Sequence, residues 1–287
     1  MKLDILIAGI GGQGAVLLGR FIRSLFFYKF PEAQISGTES RGVSQREGSV
    51  VSQVRIIFKD NGNEDGHEQS DQQIAPEIPQ HEADLIIAME PLEFARSLPY
   101  ISNNTLVVCN GAEIPPKNVM VGQITGEGSH LSVISDVFKS LQHLYKTVEW
   151  TRTLNGSFYN QESISNYLSL GDVDIHYLEN MRKLLQLAVH GTEVPILAER
   201  FADVKFFYGN FTKTVSEQLQ TSGLLNMLLM GFISCYFSKL LSIQDYHECI
   251  TLFFGGETAN EKRIVELNMR AFDLGVSLMS SLLKTRN

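Results

Sequence analysis

The 287-residue sequence predicts an α/β protein: a doubly wound, mainly parallel, Rossmann-like sheet with a helical C-terminal elaboration. Three observations predict it. Short apolar runs bounded by turn residues recur at "LDILIAGI" (3–10), "ADLIIAME" (83–90) and "NTLVVCN" (104–110), as strands buried on both faces require. The first run leads directly into "GGQG" and then a helical pattern, the strand–turn–helix unit of such sheets. In the last third, from "GLLNMLLMGFISCYFSKLL" (223–241) onward, long apolar and amphipathic segments read as helices.

Taken in order, the first strand is followed by a helix over Ala15–Tyr28, with Val16, Leu17, Phe21, Leu25 and Tyr28 on one face and Pro31 as its stop. Residues 33–39 and 49–58 read as the second and third strands. Residues 60–73, "DNGNEDGHEQSDQQ", hold five acids and no apolar residue, so they read as a solvated insertion loop. The strand at 83–90 is followed by Pro91, a suitable first residue of a helix. The strand at 104–110 ends in a turn through Pro115 and Pro116. Helical spacing of apolar residues marks Ser132–Val148 and Ile175–Val189, and a last helix covers Glu261–Leu283. Residues 149–170 and 191–220 take no clear assignment. The expected organisation is a Rossmann-like domain over 1–148, an insertion over 149–222, and C-terminal helices over 223–287 that pack back on the same domain.

Composition narrows the function. A net charge of −8 disfavours nucleic acid and anionic membrane as general partners. The N-terminus lacks the basic and long apolar regions of a secretory signal. The segment 223–241 is long enough to span a membrane, but Asn226, Ser234, Ser238 and Lys239 interrupt it, so a buried core helix is expected. Cys109, Cys235 and Cys249 are odd in number, widely spaced and set in apolar surroundings, which fits reduced thiols in the cytoplasm. Without a C-x-x-C pair the chain cannot by itself hold a four-cysteine iron–sulfur cluster or a cysteine-based structural zinc.

Two motifs stand out. Gly9, Gly11 and Gly14, with Gly12 and Gln13 between them, satisfy G-x-G-x-x-G between a strand and a helix. Such a turn either offers backbone N–H groups and a helix N-terminus to an anion or nucleotide, or exists for tight packing alone. A nicotinamide ribose would want an acid at the end of the second strand; Glu39 is the only candidate, and it comes late. The second motif is an arginine–glycine loop between strands two and three, with Arg41, Gly42, Ser44, Gln45, Arg46, Gly48 and Ser49. Arginine forks suit carboxylate or phosphate, and glycines allow backbone approach. In a doubly wound sheet this loop is expected near the glycine turn. Arg55, inside the third strand, is expected to face solvent or another layer.

Other signals take simpler readings. Asn61, Asn63, Asp65 and Gly66 imitate a calcium loop, but the twelfth position is Gln72 rather than a bidentate glutamate. Asp172, Asp174 and His176 precede a helical pattern and read as capping residues rather than metal ligands. His247-Glu248-Cys249 lacks the second half of a zinc signature. No nucleophile elbow and no Walker phosphate loop occurs, so no catalytic residue and no metal ligand is assigned.

"ILIAGIGGQGAVLLGRFI", "ESRGVSQREGSVVSQVRI" and "EADLIIAMEPLEFARSLPYISNNTLVVCNGAEIPP" together resemble the gamma-type subunits of 2-oxoacid:ferredoxin oxidoreductases, and within them the beta subunits of indolepyruvate ferredoxin oxidoreductase. "NMLLMGFIS" and "ELNMRAFDLG" are similar to that family's closing helices. Where the family loop reads Q-R-G-G-S, this sequence has Gln45-Arg46-Glu47-Gly48-Ser49, and residues 60–73 and about 149–215 have no counterpart. The resemblance implies a cytoplasmic heteromer. A large partner subunit would hold thiamine diphosphate and iron–sulfur clusters, coenzyme A would accept the acyl group, and ferredoxin would take electrons through the complex. No cofactor is expected in this chain. The glycine turn and the arginine loop would face the partner or an anionic ligand. The alternative is a stand-alone nucleotide- or anion-binding regulatory module without catalysis.

Overall fold

A computed structural model describes residues 1–42, 48–58, 74–112 and 205–284. The expectations for 60–73, Ser132–Val148, Ile175–Val189 and Asp172–His176 fall outside these residues. The described residues form a six-stranded sheet of β1 (Lys2–Ile10), β2 (Gln34–Arg41), β3 (Ser49–Ile57), β4 (Ala83–Ala88), β5 (Ile101–Asn110) and β6 (Lys205–Gly209) in the order β2-β3-β1-β4-β5-β6. β1, β4, β5 and β6 are neighbours in parallel, whereas β3 runs antiparallel to both β1 and β2. The sheet is therefore mixed, mostly parallel. β2 and β3 are separated only by residues 42–48, too few for a crossover, so they form a hairpin. The hairpin folds β3 back into the space between β2 and β1.

α1 (Ala15–Lys29) ends at Phe30, as Pro31 demands. Its buried face is Ala15, Leu18, Gly19, Phe21, Ile22, Leu25 and Phe26, whereas Leu17 and Tyr28 are 39% and 51% exposed. The expected apolar face is thus rotated. Gly19 sets the rotation, because a Cβ there would lie 2.1 Å from Ser52 Oγ: the helix approaches β3 along its smallest residue. α2 (Pro91–Ser97) starts at Pro91, where its missing N–H costs nothing.

β6 and α3 (Phe211–Leu219) occupy the stretch the sequence left unassigned. α4 (Leu225–Ile233) is buried at all nine positions and is followed by a 3-10 turn over Ser234–Phe237. The apolar segment 223–241 is therefore not one helix. Ser234 Oγ donates to the Gly231 carbonyl at 2.7 Å, a side-chain bond that competes with helical continuation. Cys235, expected in apolar surroundings, is exposed just beyond this break, while Cys109 and Cys249 are buried. No described helix is long and apolar enough to cross a membrane. α5 (Ile243–Phe254) and α6 (Ala259–Lys284) complete the C-terminal layer. α4 and α6 nearly touch backbones: a Cβ on Gly231 would lie 1.9 Å from the Phe272 carbonyl oxygen, and one on Gly275 2.1 Å from that of Leu228.

One core holds these parts together. Ile5, Ile7, Val54, Ile56, Leu85 and Ile87, alternate residues on one face of the sheet, cluster with α1 and the C-terminal helices. Phe21 of α1 meets Phe253 of α5 edge-on at 5.6 Å. On the opposite face, Asp4 and Arg55 sit beneath the segment Ala75–Ile78.

Candidate functional site

The carboxyl ends of β1, β4, β5 and β6 define one edge of the sheet, the edge at which open α/β sheets bind ligands and partners. β1 enters it through the glycine turn. A Cβ on Gly9 would lie 2.9 Å from Gln13 Oε1 and 3.1 Å from Met89 Cβ, so only glycine fits between the turn and β4. Gly12 and Gly14 have φ of +101° and +85°, the left-handed region that glycine enters without strain. Gly12 is exposed, with no atom within 4 Å of its would-be Cβ, and Gly14 is the N-cap of α1, packed against Asn226 of α4.

Gln13 folds inward. Its Oε1 accepts the Ile10 N–H at 2.8 Å and its Nε2 donates to the Met89 carbonyl at 3.1 Å. Asn110, at the end of β5, donates to the same carbonyl at 2.9 Å and to Thr212 Oγ1 at 2.9 Å, and accepts the Thr212 N–H at 3.1 Å. Side-chain amides thus staple the ends of β1, β4 and β5 to the start of α3. They fill part of the crevice beside the turn with protein polar groups.

The hairpin closes on the other side. Gly11 N–H donates to the Gly48 carbonyl at 2.9 Å, Ser49 stands opposite Ile10, and Gly42 N–H donates to the Ser49 carbonyl at 2.8 Å. The two sequence motifs therefore meet, brought together by the antiparallel return of β3 beside β1. Ser49 Oγ also donates to Glu93 Oε2 at 2.6 Å, so α2 joins the same cluster. Glu93 is buried and ion-paired with Arg96, and its N–H donates to Glu90 Oε2 at 3.1 Å. Burial and the charge of Glu90 push the Cys109 thiol well up, which keeps it protonated and unreactive.

Of the residues singled out in sequence, Gly9, Gly11, Gly12, Gln13, Gly14, Gly48 and Ser49 come together here. Arg41 and Gly42 stand at the root of the hairpin tip, and Gln45 and Arg46 lie outside the described residues. The Arg41 side chain is 61% exposed and, among the described residues, makes a single 3.4 Å contact with Glu39. Glu39 does not occupy the place of a ribose-binding acid, because β3 separates its strand from β1. Burial would raise its carboxyl, but hydrogen bonds from Arg23 at 3.0 Å and Arg20 at 3.3 Å bring it below the ordinary value.

Of the two expectations for Arg55, solvent or another layer, the structure shows the second. It is buried, with Nε and Nη2 on the two oxygens of Asp4 at 2.8 and 3.2 Å and Nη1 on the carbonyls of Ala75 and Glu77 at 3.0 and 2.9 Å. The neighbouring acidic loop left no apolar residue in sequence to suggest that this face was covered. Reading by motif also missed Glu93, Asn110 and Asn226. Each left a faint trace: an acid in the first turn after Pro91, an asparagine ending a strand, and a polar interruption of an apolar run. Among the described residues no group of three or more His, Cys, Asp or Glu side chains could hold a metal ion.

Comparison with known proteins places these features in a group. The sequence model of the family described as pyruvate ferredoxin/flavodoxin oxidoreductase matches residues 4–148, half of the chain. Indolepyruvate oxidoreductase subunit IorB of Methanothermobacter thermautotrophicus is 35% identical over 120 residues, covering 42% of this chain and 53% of that protein. The subunit of the same name from Archaeoglobus fulgidus is 34% identical over 122 residues, again 42% and 53%. The chain thus spans about half the length of these relatives. In structure, the 2-oxoglutarate:ferredoxin oxidoreductase of Magnetococcus marinus, solved with 2-oxoglutarate, coenzyme A and succinyl-CoA bound, aligns with a TM-score of 0.51 at 16% identity, covering 98% of this chain and 31% of that one. A likeness at that identity speaks for the fold alone.

Proposed function

We propose that this chain, which belongs to the pyruvate ferredoxin/flavodoxin oxidoreductase family, is the cofactor-free subunit of a 2-oxoacid:ferredoxin oxidoreductase acting on indolepyruvate or a related aryl or alkyl 2-oxoacid. The net reaction is oxidative decarboxylation: the 2-oxoacid loses carbon dioxide, its acyl group passes to coenzyme A, and two electrons pass to ferredoxin. The similarity to the indolepyruvate oxidoreductase subunits supports the choice of substrate. With only three cysteines, one exposed and two buried, and no C-x-x-C, this chain does not fit an iron–sulfur cluster. In this reading a large partner subunit holds the clusters and thiamine diphosphate, which supply electron transfer and carbanion stabilisation.

The observation that carries the reading is the joining of the glycine turn, the hairpin root and α2 into one surface through Gly11–Gly48 and Ser49–Glu93. With Gln13 and Asn110 filling the adjacent crevice, that surface suits docking better than enclosure of a dinucleotide. In this reading Gly11, Gly12, Gly14, Arg41, Gly42, Gly48 and Ser49 face the partner, Gly9 and Gln13 support the turn from within, and Gln45 and Arg46 are proposed from sequence to belong to the same set. Co-expression with the large thiamine- and cluster-binding subunit, followed by affinity purification through this chain, is the test. A brown stoichiometric complex that oxidises the 2-oxoacid is expected, while the chain alone is colourless and inactive. Purification of the chain without a partner would favour the stand-alone module.

A further inference from the structure

An open sheet has two edges, and each presents a row of N–H and C=O groups ready to receive another strand. Here the edges are β2 and β6. β6 has five residues and begins with a lysine, two features that discourage further pairing. β2 has neither defence. Its eight residues include no proline and no lysine, and its register with β3 runs from Gln34 to Arg41 without a bulge.

The free groups can be assigned. Gly42 N–H donates to the Ser49 carbonyl, so these two form a hydrogen-bonded pair that continues the β2–β3 register. Directions alternate along an antiparallel strand. Ser36, Thr38 and Ser40 therefore turn their backbone groups toward β3, and Ile35, Gly37, Glu39 and Arg41 turn theirs outward. Among the described residues no strand and no hydrogen bond receives them. The side chains leave room for a neighbour. Ser36, Thr38 and Ser40, all short, share one face of the strand. On the other face Glu39 is held by Arg20 and Arg23 of α1. Those two arginines show which side of α1 looks toward this edge. Phe27 lies on the same side, one helical turn beyond Arg23 and two beyond Arg20, and it is 66% exposed. An uncovered aromatic ring thus stands beside an unpaired strand.

We propose that β2 pairs antiparallel with β2 of a second copy of this chain, about a two-fold axis through Thr38, so that two sheets run on as one. In that register Ile35 stands opposite Arg41 of the other copy, Gly37 opposite Glu39, Ser36 opposite Ser40, and Thr38 opposite itself. Every outward residue then meets an outward residue, whereas an axis moved along the strand leaves Ile35 or Arg41 unmatched. This self-matching is what commits the edge to a second copy, as an isologous interface requires. No like charges stand directly opposite one another, and a threonine pair at the axis is favourable. The axis is perpendicular to the sheet, so both α1 helices flank it on one face and bring their Phe27 rings to the interface. The surface is the side of the sheet, apart from the end where the large subunit is proposed to dock, and the inference does not require that reading.

The experiment is sedimentation of the full chain, alone, from nanomolar to high micromolar concentration. A reversible monomer–dimer equilibrium is expected. Thr38→Lys puts a charge opposite its own copy while keeping the backbone bonds to β3, and it should leave only monomer. Phe27→Ser should raise the dissociation constant about tenfold or more. Oxidative cross-linking tests the register without relying on a disrupted variant. In a Cys235→Ser background, which removes the exposed native thiol, Thr38→Cys should close a disulfide across the axis. Ser36→Cys should not cross-link to itself but should do so when mixed with Ser40→Cys. A chain that stays monomeric at every concentration would overturn the proposal. So would a dimer that survives Thr38→Lys, or cross-linking of Ser36→Cys to itself as fast as Thr38→Cys. A monomeric chain whose binding to the large subunit is lost in Thr38→Lys would give the edge to that subunit and overturn it too. The dimer is measured without the large subunit, so its failure leaves the subunit reading intact, and the reverse.

Discussion

Arg55 and Arg41 lie on adjacent strands, each beside a carboxylate, and do opposite work. Near the amino edge of the sheet, Arg55 is enclosed and makes four hydrogen bonds, two to Asp4 and two to carbonyls of the covering segment. Near the carboxyl edge, Arg41 is mostly in solvent, with one long contact, to Glu39, among the described residues. Charge alone does not distinguish them; desolvation does. A buried pair is committed, because removing either partner strands the other in a medium that cannot solvate it. An exposed arginine near a hairpin tip keeps its donors available for a second molecule.

The largest effect should come from breaking the amino edge. Arg55→Ala leaves the buried Asp4 carboxylate with only the partly exposed Lys2 ammonium, 3.1 Å away, as partner, and unfolding in urea should show a loss of about 3 kcal/mol. Replacing both partners by apolar residues of similar volume should recover much of that loss, since no charge is then stranded. A midpoint unchanged by Arg55→Ala would mean that water reaches Asp4 and that the two edges differ less than claimed.

At the carboxyl edge the expectation is reversed. Arg41→Ala combined with Arg46→Ala should change stability by no more than about 0.5 kcal/mol. Binding to the large subunit, measured by biolayer interferometry, should weaken roughly ten- to a hundredfold for each lost charge-assisted bond of about 1.5–3 kcal/mol. Wild-type assembly and turnover by the double variant would reduce the hairpin tip to a solvated loop.

The smallest effect is a difference in the sign of pH dependence. Asp84, near the amino edge, has its carboxyl raised above 3.8, first by burial and then by the Asp4 charge, although the Asp4 N–H bond opposes the shift. Its folded state therefore binds protons more readily than the unfolded chain, and stability is lost as pH rises through the folded pKa. Asp84→Asn, which keeps an acceptor for Asp4 N–H, should be the more stable protein at neutral pH, with the difference closing below about pH 4. Glu39, near the carboxyl edge, is lowered below 4.5, so its contribution is present at neutral pH and lost as pH falls through the folded pKa. Glu39→Gln should accordingly be less stable at neutral pH and converge with wild type in acid. Thermal melts of the three proteins from pH 3 to pH 7.5 would show both crossings, and slopes of the same sign would remove the electrostatic part of the contrast.

Much of the sheet was legible because its strands announce themselves locally. β1 is apolar at nearly every position, and its glycine turn requires φ values that few other residues accept. The hairpin was legible as two strands and a loop, and its closeness to the turn comes from the antiparallel return of β3 beside β1. Local pattern failed where a partner far along the chain decided the outcome. The face of α1 was set by a glycine seated on Ser52, not by its largest apolar residues. The break after α4 came from one serine hydroxyl, and α4 itself carries no period to read because every side is buried. For Arg55 the choice between solvent and another layer stayed open, because alternation says which face a side chain takes but not what covers that face. Within the candidate site the glycines and Ser49 were visible as a motif, whereas Glu93, Asn110 and Asn226 acquire meaning only from neighbours that folding supplies.

The contact between Gly14 and Asn226 also has a consequence for the order of events during biosynthesis. The turn leaves the ribosome well before the residue that packs on it, which belongs to the last third of the chain, as does Asp245, which pairs with Lys29 across 216 positions at 2.6 Å. Loop closure over such a span is slow compared with forming a strand or a helix, so the N-terminal hairpin and α1 must wait with their apolar faces uncovered. The nascent chain up to residue 112 should therefore be a client of chaperones, released only when α4, seated on α6 through Gly231 and Gly275, arrives to complete the turn.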